Sequence, residues 1–199
     1  MKPTQILENE HRVIEQVLDC LDKIADRCEA DGRLDAESAR EAVDFFRNFA
    51  DRCHHGKEEA RLFPLMHARG FPQESGPVAV MRIEHDHGRA FARGMEAAIE
   101  KAASGDATGC RDYLENARGF AGMLREHIRK EDHCLFPMAD NALTEDDQVE
   151  LRESFERVDG EEIGPEAHAR YLSLADTLAD RCGVPKGRTS EGYGSPVRR

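Results

Sequence analysis

Apolar side chains recur along this chain at alternating steps of three and four residues, the spacing of an α-helix with one buried stripe. Four long segments show the pattern, separated by polar turns near Gly32, residues 68–77 and residues 104–109. No segment alternates in the way that predicts a β-strand. The stripe positions are Leu7, His11, Ile14, Leu18, Leu21, Ala25 and Cys28; Val43, Phe46, Ala50, His54, Glu58, Leu62 and Leu65; Val78, Met81, His85, Gly88, Ala92, Met95 and Ile99; and Phe120, Leu124, His127, Glu131, Cys134 and Met138.

Four amphipathic segments joined by short turns predict an all-α protein, an up-down-up-down four-helix bundle over residues 1–140. Two shorter helical patterns follow, at about residues 145–158 and 165–182. They predict a C-terminal helical extension, residues 141–182, packed on the bundle. The remaining residues, 183–199, are predicted to form a flexible tail.

The charge balance of the chain is acidic: 28 Lys and Arg against 40 Asp and Glu give a formal net charge of −12. Such a surface repels phosphate groups, so neither nucleic acid nor an anionic membrane is expected as a partner. No apolar run is long enough to span a bilayer and none resembles a signal peptide, which predicts a cytoplasmic protein. The six cysteines form no C-x-x-C pair and mostly fall at apolar positions, which predicts buried free thiols.

One eleven-residue stretch occurs twice. It reads HHGKEEARLFP from His54 to Pro64 and HIRKEDHCLFP from His127 to Pro137, with six identical positions. Upstream of each copy stands a Glu-His dipeptide, 43 residues before the first copy and 42 before the second when the histidines are compared. The repeated unit is therefore a histidine on one helix, a turn, and H-x-x-x-E on the next helix.

The repeated histidines and glutamates fall on the apolar stripe of their helices, where an ionised carboxylate costs several kcal/mol unless it is neutralised. An isolated histidine on such a stripe is usually a hydrogen-bonded core residue, and an isolated H-x-x-x-E is usually a surface ion pair. Two matched copies favour a different interpretation. Imidazole and carboxylate together bind Fe, Mn, Zn or Co, so the duplication predicts a dinuclear metal site inside the bundle.

These motifs resemble the hemerythrin-like (HHE cation-binding) family. The similarity rests on ENEH at 8–11, the first copy at 54–64, IEHDHGR at 83–89 and the second copy at 127–137, and covers roughly residues 1–140. It implies a bundle with a carboxylate-bridged, non-haem centre of two Fe ions, with Zn or Mn as alternative metals. The ligand set implied by the resemblance is His11 and His54 on one metal, His85 and His127 on the other, and Glu58 and Glu131 as bridges.

The chain departs from the oxygen-carrying hemerythrins at two positions. Those proteins have H-x-x-x-H on the third helix and a bridging aspartate on the fourth, whereas this chain has Arg89 four residues after His85, and Glu131 as the bridge. The second metal thus lacks one histidine, and His55 is predicted to supply it. The alternative is that His55 only orients a ligand or lies at the surface.

Other polar residues near the motifs have weaker predictions. His87 is expected at a wet surface. His168 begins the apolar stripe of the last helix, and a ligand or capping role is the weaker alternative there. Lys57 and Lys130 are expected to be solvated charges. Two acidic residues that directly follow the bridging glutamates, Glu59 and Asp132, either orient ligands or face solvent.

Since histidine-rich di-iron sites of that family lean toward reversible binding, the resemblance implies a protein that binds or senses O₂, NO or peroxide, or that handles iron, rather than an enzyme. One alternative is a di-iron enzyme that decomposes peroxide or reduces NO, which would need an open metal position and a proton donor such as His55 or Tyr113. Another is a zinc-stabilised interaction module. The expected partner is a small diatomic molecule or peroxide, and a homodimer stays open.

Overall fold

Residues 1–186, which the computed structural model describes apart from the side chains of residues 161–163 and 165, contain helices and connecting turns but no strand. The all-α prediction is confirmed. The α-helices are α1 (Pro3–Asp31), α2 (Ala36–Phe45), α3 (Phe63–Ala68), α4 (Gly76–Ala103), α5 (Ala107–Lys130), α6 (Phe136–Ala142), α7 (Glu145–Arg157) and α8 (Pro165–Cys182). Four π-helical segments lie at Phe46–His55, Glu58–Leu62, Glu131–Leu135 and Val158–Ile163.

The π-helical segments join shorter helices into long ones. Residues 36–68 form one continuous second bundle helix from α2 to α3, and residues 107–142 form one fourth bundle helix from α5 to α6. Together with α1 and α4 they make the four helices of the bundle. None of the helices within residues 1–186 has the length and apolar character needed to cross a membrane.

Neighbouring bundle helices run in opposite directions. Lys2 at the start of α1 binds Asp140 near the end of the fourth bundle helix, and Arg118 in the first half of that helix binds Glu29 near the end of α1. The turns between helices are short because glycines adopt left-handed backbone conformations there. Gly32, with φ of 64°, ends α1.

Two apolar clusters fill the bundle, one at each end. The predicted metal ligands lie near the level where the two clusters meet: on α1, for example, Leu7 belongs to one cluster and Ile14 to the other, with His11 between. The buried polar residues therefore form a layer with apolar packing above and below. This position keeps bulk water away from the layer.

The π turns change the register of the buried stripe, and here the sequence prediction was partly wrong. The N–H of Phe63 bonds the carbonyl of Glu58, five residues back, and Phe136 bonds Glu131 in the same way. Each wide turn contains one residue more than a regular α-helical turn, which shifts the buried face by one position. Phe63 and Phe136 are therefore buried in the core. The predicted stripe residues displaced by this shift are half-buried Leu65 and Met138 and exposed Cys134.

A proline follows each wide turn, at Pro64 and Pro137. Proline lacks an N–H, and in a regular α-helix its ring collides with the carbonyl four residues earlier. Widening the turn relieves that collision, so both helices continue through the proline without a break. The repeated Leu-Phe-Pro of the sequence thus marks two places where a π turn precedes a proline inside a continuous helix.

The extension packs on the bundle and shares its core. Ala175 and Leu178 of α8 lie in the same apolar cluster as α1 and α2, and Phe155 of α7 lies in the other cluster. Val184 is also buried, and its N–H bonds the carbonyl of Ala179. Of the predicted tail, residues 187–199 lie outside the described residues, and the predicted domain limits stay predictions.

Two glycines of α5 should respond to alanine in opposite ways. A Cβ on Gly109 would lie 2.6 Å from the backbone nitrogen of Ala102, whereas a Cβ on exposed Gly122 would meet nothing within 4 Å. We expect Gly109→Ala to lower the free energy of unfolding by about 1–3 kcal/mol, because the backbone has to move. Gly122→Ala should raise it by about 0.5–1 kcal/mol, because alanine favours a helix more than glycine does. Urea unfolding of both variants measures the difference, and equal effects would contradict the packing.

Candidate metal centre

The repeated motifs of the sequence meet in the polar layer between the two apolar clusters. Ligand atoms of His11, His54, Glu58 and Glu131 lie within 4.8 Å of one another, and those of His55, Glu58, His85 and His127 form a second group of the same kind. All of these side chains are buried, and Glu58 belongs to both groups. The structure thus brings the seven predicted residues together; that they bind metal stays a prediction.

The imidazole Nε2 atoms point inward and converge in pairs. Nε2 of His11 lies 2.9 Å from Nε2 of His54, and Nε2 of His85 lies 3.2 Å from Nε2 of His127. Each pair combines one histidine from α1 or α4 with one from the second or fourth bundle helix. Two nitrogen lone pairs this close repel each other unless a cation or a proton lies between them.

The two glutamates each span the two histidine pairs. Oε2 of Glu131 lies 3.2 Å from Nε2 of both His11 and His127. The oxygens of Glu58 lie 3.6 Å from Nε2 of His54 and 3.4 Å from Nε2 of His85. Each carboxylate therefore faces one histidine of each pair, which is the placement that a bridging ligand needs.

The opposite ring nitrogen of each of these four histidines donates a hydrogen bond to a carboxylate. An ionised carboxylate can only accept, so Nδ1 carries the hydrogen and Nε2 keeps its lone pair for a metal. The four pairs are His11 with Asp132 at 2.6 Å, His54 with Glu10 at 2.8 Å, His85 with Glu59 at 2.6 Å, and His127 with Glu84 at 3.0 Å.

Each of these carboxylates in turn meets a basic side chain: Arg12 binds Asp132, Lys57 binds Glu10, Arg89 binds Glu59, and Lys130 binds Glu84. The prediction of a solvated Lys57 was wrong. This lysine is buried because two carboxylates surround its ammonium group and compensate for the lost water. Lys130 is half-buried.

Part of this arrangement is visible in the sequence, but its role is not. Glu10 and Glu84 precede His11 and His85 in the repeated Glu-His dipeptide, and the motif predicts a role as metal ligand for the histidines alone. The glutamates orient the histidines of the neighbouring helices instead. A repeated acidic residue beside a predicted ligand was the signal that could have identified them.

The charges at the middle of the layer fit a cation. All four oxygens of Glu58 and Glu131 are buried without a hydrogen-bond partner, and no Lys or Arg within the described residues pairs with either carboxylate. Burying two such carboxylates costs several kcal/mol each unless positive charge offsets it. A metal between the histidine pairs would satisfy the oxygens and separate the facing nitrogens, so the residues present fit the ligand set that the resemblance implies.

Protons can take the place of metal in this layer. Burial alone would lower the pKa of His11, but its hydrogen bond to Asp132 and the nearby Glu131 outweigh burial and raise the pKa to about 9. Burial opposes the same change at His127, where the charge of Glu131 raises the pKa to about 10. Metal binding at neutral pH therefore has to displace protons from these two histidines.

His55 has the same surroundings as the other candidate ligands. It is buried, its ring stacks on that of His85 at 3.8 Å between centroids, and its Nδ1 lies 3.4 Å from Asp51, which Arg89 also binds. Burial and the charge of His85 lower the pKa of His55 well below its usual range, so the ring is neutral. Because His54 and His55 lie in a wide π turn, both can face the interior.

Two phenylalanines of the repeat close the layer on one side. The ring of Phe63 stacks on His85 with centroids 6.0 Å apart, and Phe136 stacks on His11 at 5.4 Å. Both phenylalanines are buried. They fix the ring planes of the two histidines and exclude water from them.

The remaining histidines lie away from the two groups. His67, His87 and His133 are exposed, as expected for His87. His168 is buried and lies near Glu10 and Asp159, which together form a third set of close ligand atoms. The ammonium group of Lys57 already binds both carboxylates of that set.

Replacing His55 should affect metal binding far more than replacing His87. We expect His55→Ala to lower the affinity for one of the two metals by about 10–100-fold, because it removes a candidate ligand or a residue that orients a ligand. His87→Ala is the matched control, being exposed in the same layer of the bundle, and should change the affinity less than threefold. Titration with a competing chelator measures both, and equal affinities of the two variants would contradict a role for His55.

A family model for the hemerythrin HHE cation binding domain matches residues 2–139. Uncharacterized proteins of Mycobacterium tuberculosis (strain ATCC 25618 / H37Rv) and Mycobacterium bovis are 26% identical over 174 residues, 87% of this chain. The chain spans 66% of the length of these relatives. The iron-sulfur cluster repair protein YtfE of Musicola paradisiaca is 34% identical over 93 residues, 43% of this chain and 40% of that protein. No solved structure matches the chain with significance.

Proposed function

Since the chain belongs to the hemerythrin HHE cation-binding domain family, we propose that it holds two iron ions and binds or senses O₂, NO or peroxide, or handles iron. The proposal rests above all on the four buried, unpartnered oxygens of Glu58 and Glu131 among five inward-facing histidines. When bound, the irons would supply the affinity for a small oxidising or diatomic ligand. The protein supplies the ligands, their orientation and a dry environment.

The donor set favours iron over structural zinc. Structural zinc sites usually include cysteine thiolates, and neither group of ligand atoms contains a cysteine. Histidine and carboxylate donors suit iron, manganese and cobalt as well as zinc. The relative that is a named iron-sulfur cluster repair protein further supports a role in iron handling.

A cavity gives small molecules access to one half of the centre. It has a volume of about 200 Å³, and its lining includes His55 and His85 together with apolar Phe46 and Phe120. Arg89 lies in the wall as well, held by Asp51. A space of this size is large enough for a diatomic molecule or peroxide, which supports a small ligand.

The enzyme alternative needs a proton donor beside that cavity. Tyr113, one candidate from the sequence, is buried in the apolar core and does not line the cavity, and burial raises the pKa of its hydroxyl. His55 does line it. The neutral ring of His55 would have to gain its proton from elsewhere, which favours binding over turnover.

Metal analysis combined with ligand exposure tests the proposal. Protein produced with iron available should contain about two irons per chain, change its visible absorption on exposure to O₂, NO or peroxide, and consume none of them steadily. Steady consumption would favour the enzyme. Two zincs with no iron would favour the zinc-stabilised module and contradict the proposal.

A further inference from the structure

The two halves of the centre are near copies, but their lysines differ in solvent exposure. In one half, the carboxylate of Glu10 joins His54 to Lys57; in the other, Glu84 joins His127 to Lys130. The side chains of Lys57 and Glu10 are fully buried, at 0% exposure each. Those of Lys130 and Glu84 are 38% and 18% exposed.

The C-terminal extension causes this difference. The π-helical segment that follows α7 carries Asp159, whose Oδ1 lies 2.7 Å from Nζ of Lys57. The thiol of Cys53 donates to the same oxygen at 3.4 Å. Phe155 of α7 adds its ring, with its centroid 5.9 Å from Nζ of Lys57. Lys130 has no comparable cover from the described elements.

The contacts form one continuous chain from the surface to a candidate ligand. Asp159, 28% exposed, holds Lys57; Lys57 holds one oxygen of Glu10; and the other oxygen of Glu10 accepts from Nδ1 of His54 at 2.8 Å. Lys57 cannot shift toward water without breaking both ion pairs. The position of Asp159 therefore fixes Glu10, and Glu10 fixes the ring of His54.

A third metal at this place is a weaker explanation. Glu10, Asp159 and His168 do offer three close ligand atoms. The Lys57 ammonium binds both carboxylates, however, so the positive charge that a metal would bring is already present. The cluster is built around a lysine.

We propose that Asp159 is a positioning residue for the half-site of His11 and His54, acting through Lys57 and Glu10, so that the extension makes the two metals unequal. The inference rests on the proposed dinuclear centre. Partners that orient metal-binding histidines typically change metal affinity by about 10–100-fold when removed. The partly exposed Lys130–Glu84 pair, screened by water, should contribute less.

The test is a titration of metal-free variants of the 199-residue chain with ferrous iron in the absence of oxygen, against a competing chelator that resolves two binding steps. Asp159→Asn should weaken one step by about 10-fold or more and leave the other within about threefold. Asp159→Glu should recover part of the loss. Glu156→Gln, which removes the same charge from an exposed position of α7 three residues away, is the matched control and should behave as the wild type.

The outcomes separate this inference from the proposed function. Loss in one step only, in a metal-free variant that circular dichroism shows to be folded, supports the positioning role. Equal loss in both steps, or loss in neither, overturns it while the dinuclear centre stands. A wild-type chain that binds fewer than two metals overturns the proposed function and this inference together.

Discussion

Glu131→Gln is expected to remove at least one of the two metals and most of the thermal stabilisation that they give. Glutamine keeps the volume of the side chain but removes its negative charge, and its amide group would face Nε2 of His11 and His127, both 3.2 Å from Oε2 of the native carboxylate. A neutral amide cannot bridge two cations. Glu58→Gln should act in the same way, since Glu58 belongs to both ligand groups.

The measurement is metal content per chain together with the unfolding temperature before and after chelation. The wild type should lose stability when its metal is removed, because metal-binding free energy contributes to folding. The two glutamine variants should show about one metal or fewer and little change on chelation. Glu126→Gln, an exposed change on the same helix as Glu131, is the control. Two metals retained in either variant would show that the carboxylates do not bridge.

The second large effect is that the metal-free protein should become less stable as the pH rises from about 7 to 10. His11 and His127 have pKa values near 9 and 10 in the folded chain against 6.5 for an ordinary histidine. A group with a raised folded-state pKa binds its proton more tightly when folded. Its contribution to stability is complete below pH 6.5 and disappears as the pH passes the folded-state pKa.

We expect the unfolding temperature of the metal-free protein to fall by roughly 10 °C between pH 7 and 10, measured by circular dichroism. His127→Gln should reduce this fall, because it removes one of the two protonated groups. His87→Gln, an exposed change, should keep the full pH dependence of the wild type. A metal-free protein with equal stability at pH 7 and 10 would contradict a centre in which protons replace metal.

The sequence predicts most of this fold because helix periodicity and duplication are local signals. The steps of three and four locate the bundle helices, and the paired Glu-His and H-x-x-x-E motifs locate His11, His54, His85 and His127. These residues meet because, in two antiparallel helices joined by a short turn, residues that are equally far from the turn lie side by side. The meeting point therefore follows from spacing alone.

The features that the sequence did not predict depend on long-range contacts or on small backbone changes. Burial of Lys57 requires Asp159, 102 positions later, and no pattern joins the two. The register shift after Glu58 arises from one wide turn, which alters the stripe by a single residue and leaves Leu65 half-buried. A periodic pattern is recognised over three or four helical turns, so a shift of one residue within it is not detected.

The most direct test of the dinuclear centre is a crystal structure of the iron-loaded protein with anomalous diffraction measured at the iron edge. Two peaks are expected per chain, one beside His11 and His54 and one beside His85 and His127, with Glu58 and Glu131 both reaching both peaks. A single peak, or peaks away from these two glutamates, would contradict the dinuclear centre.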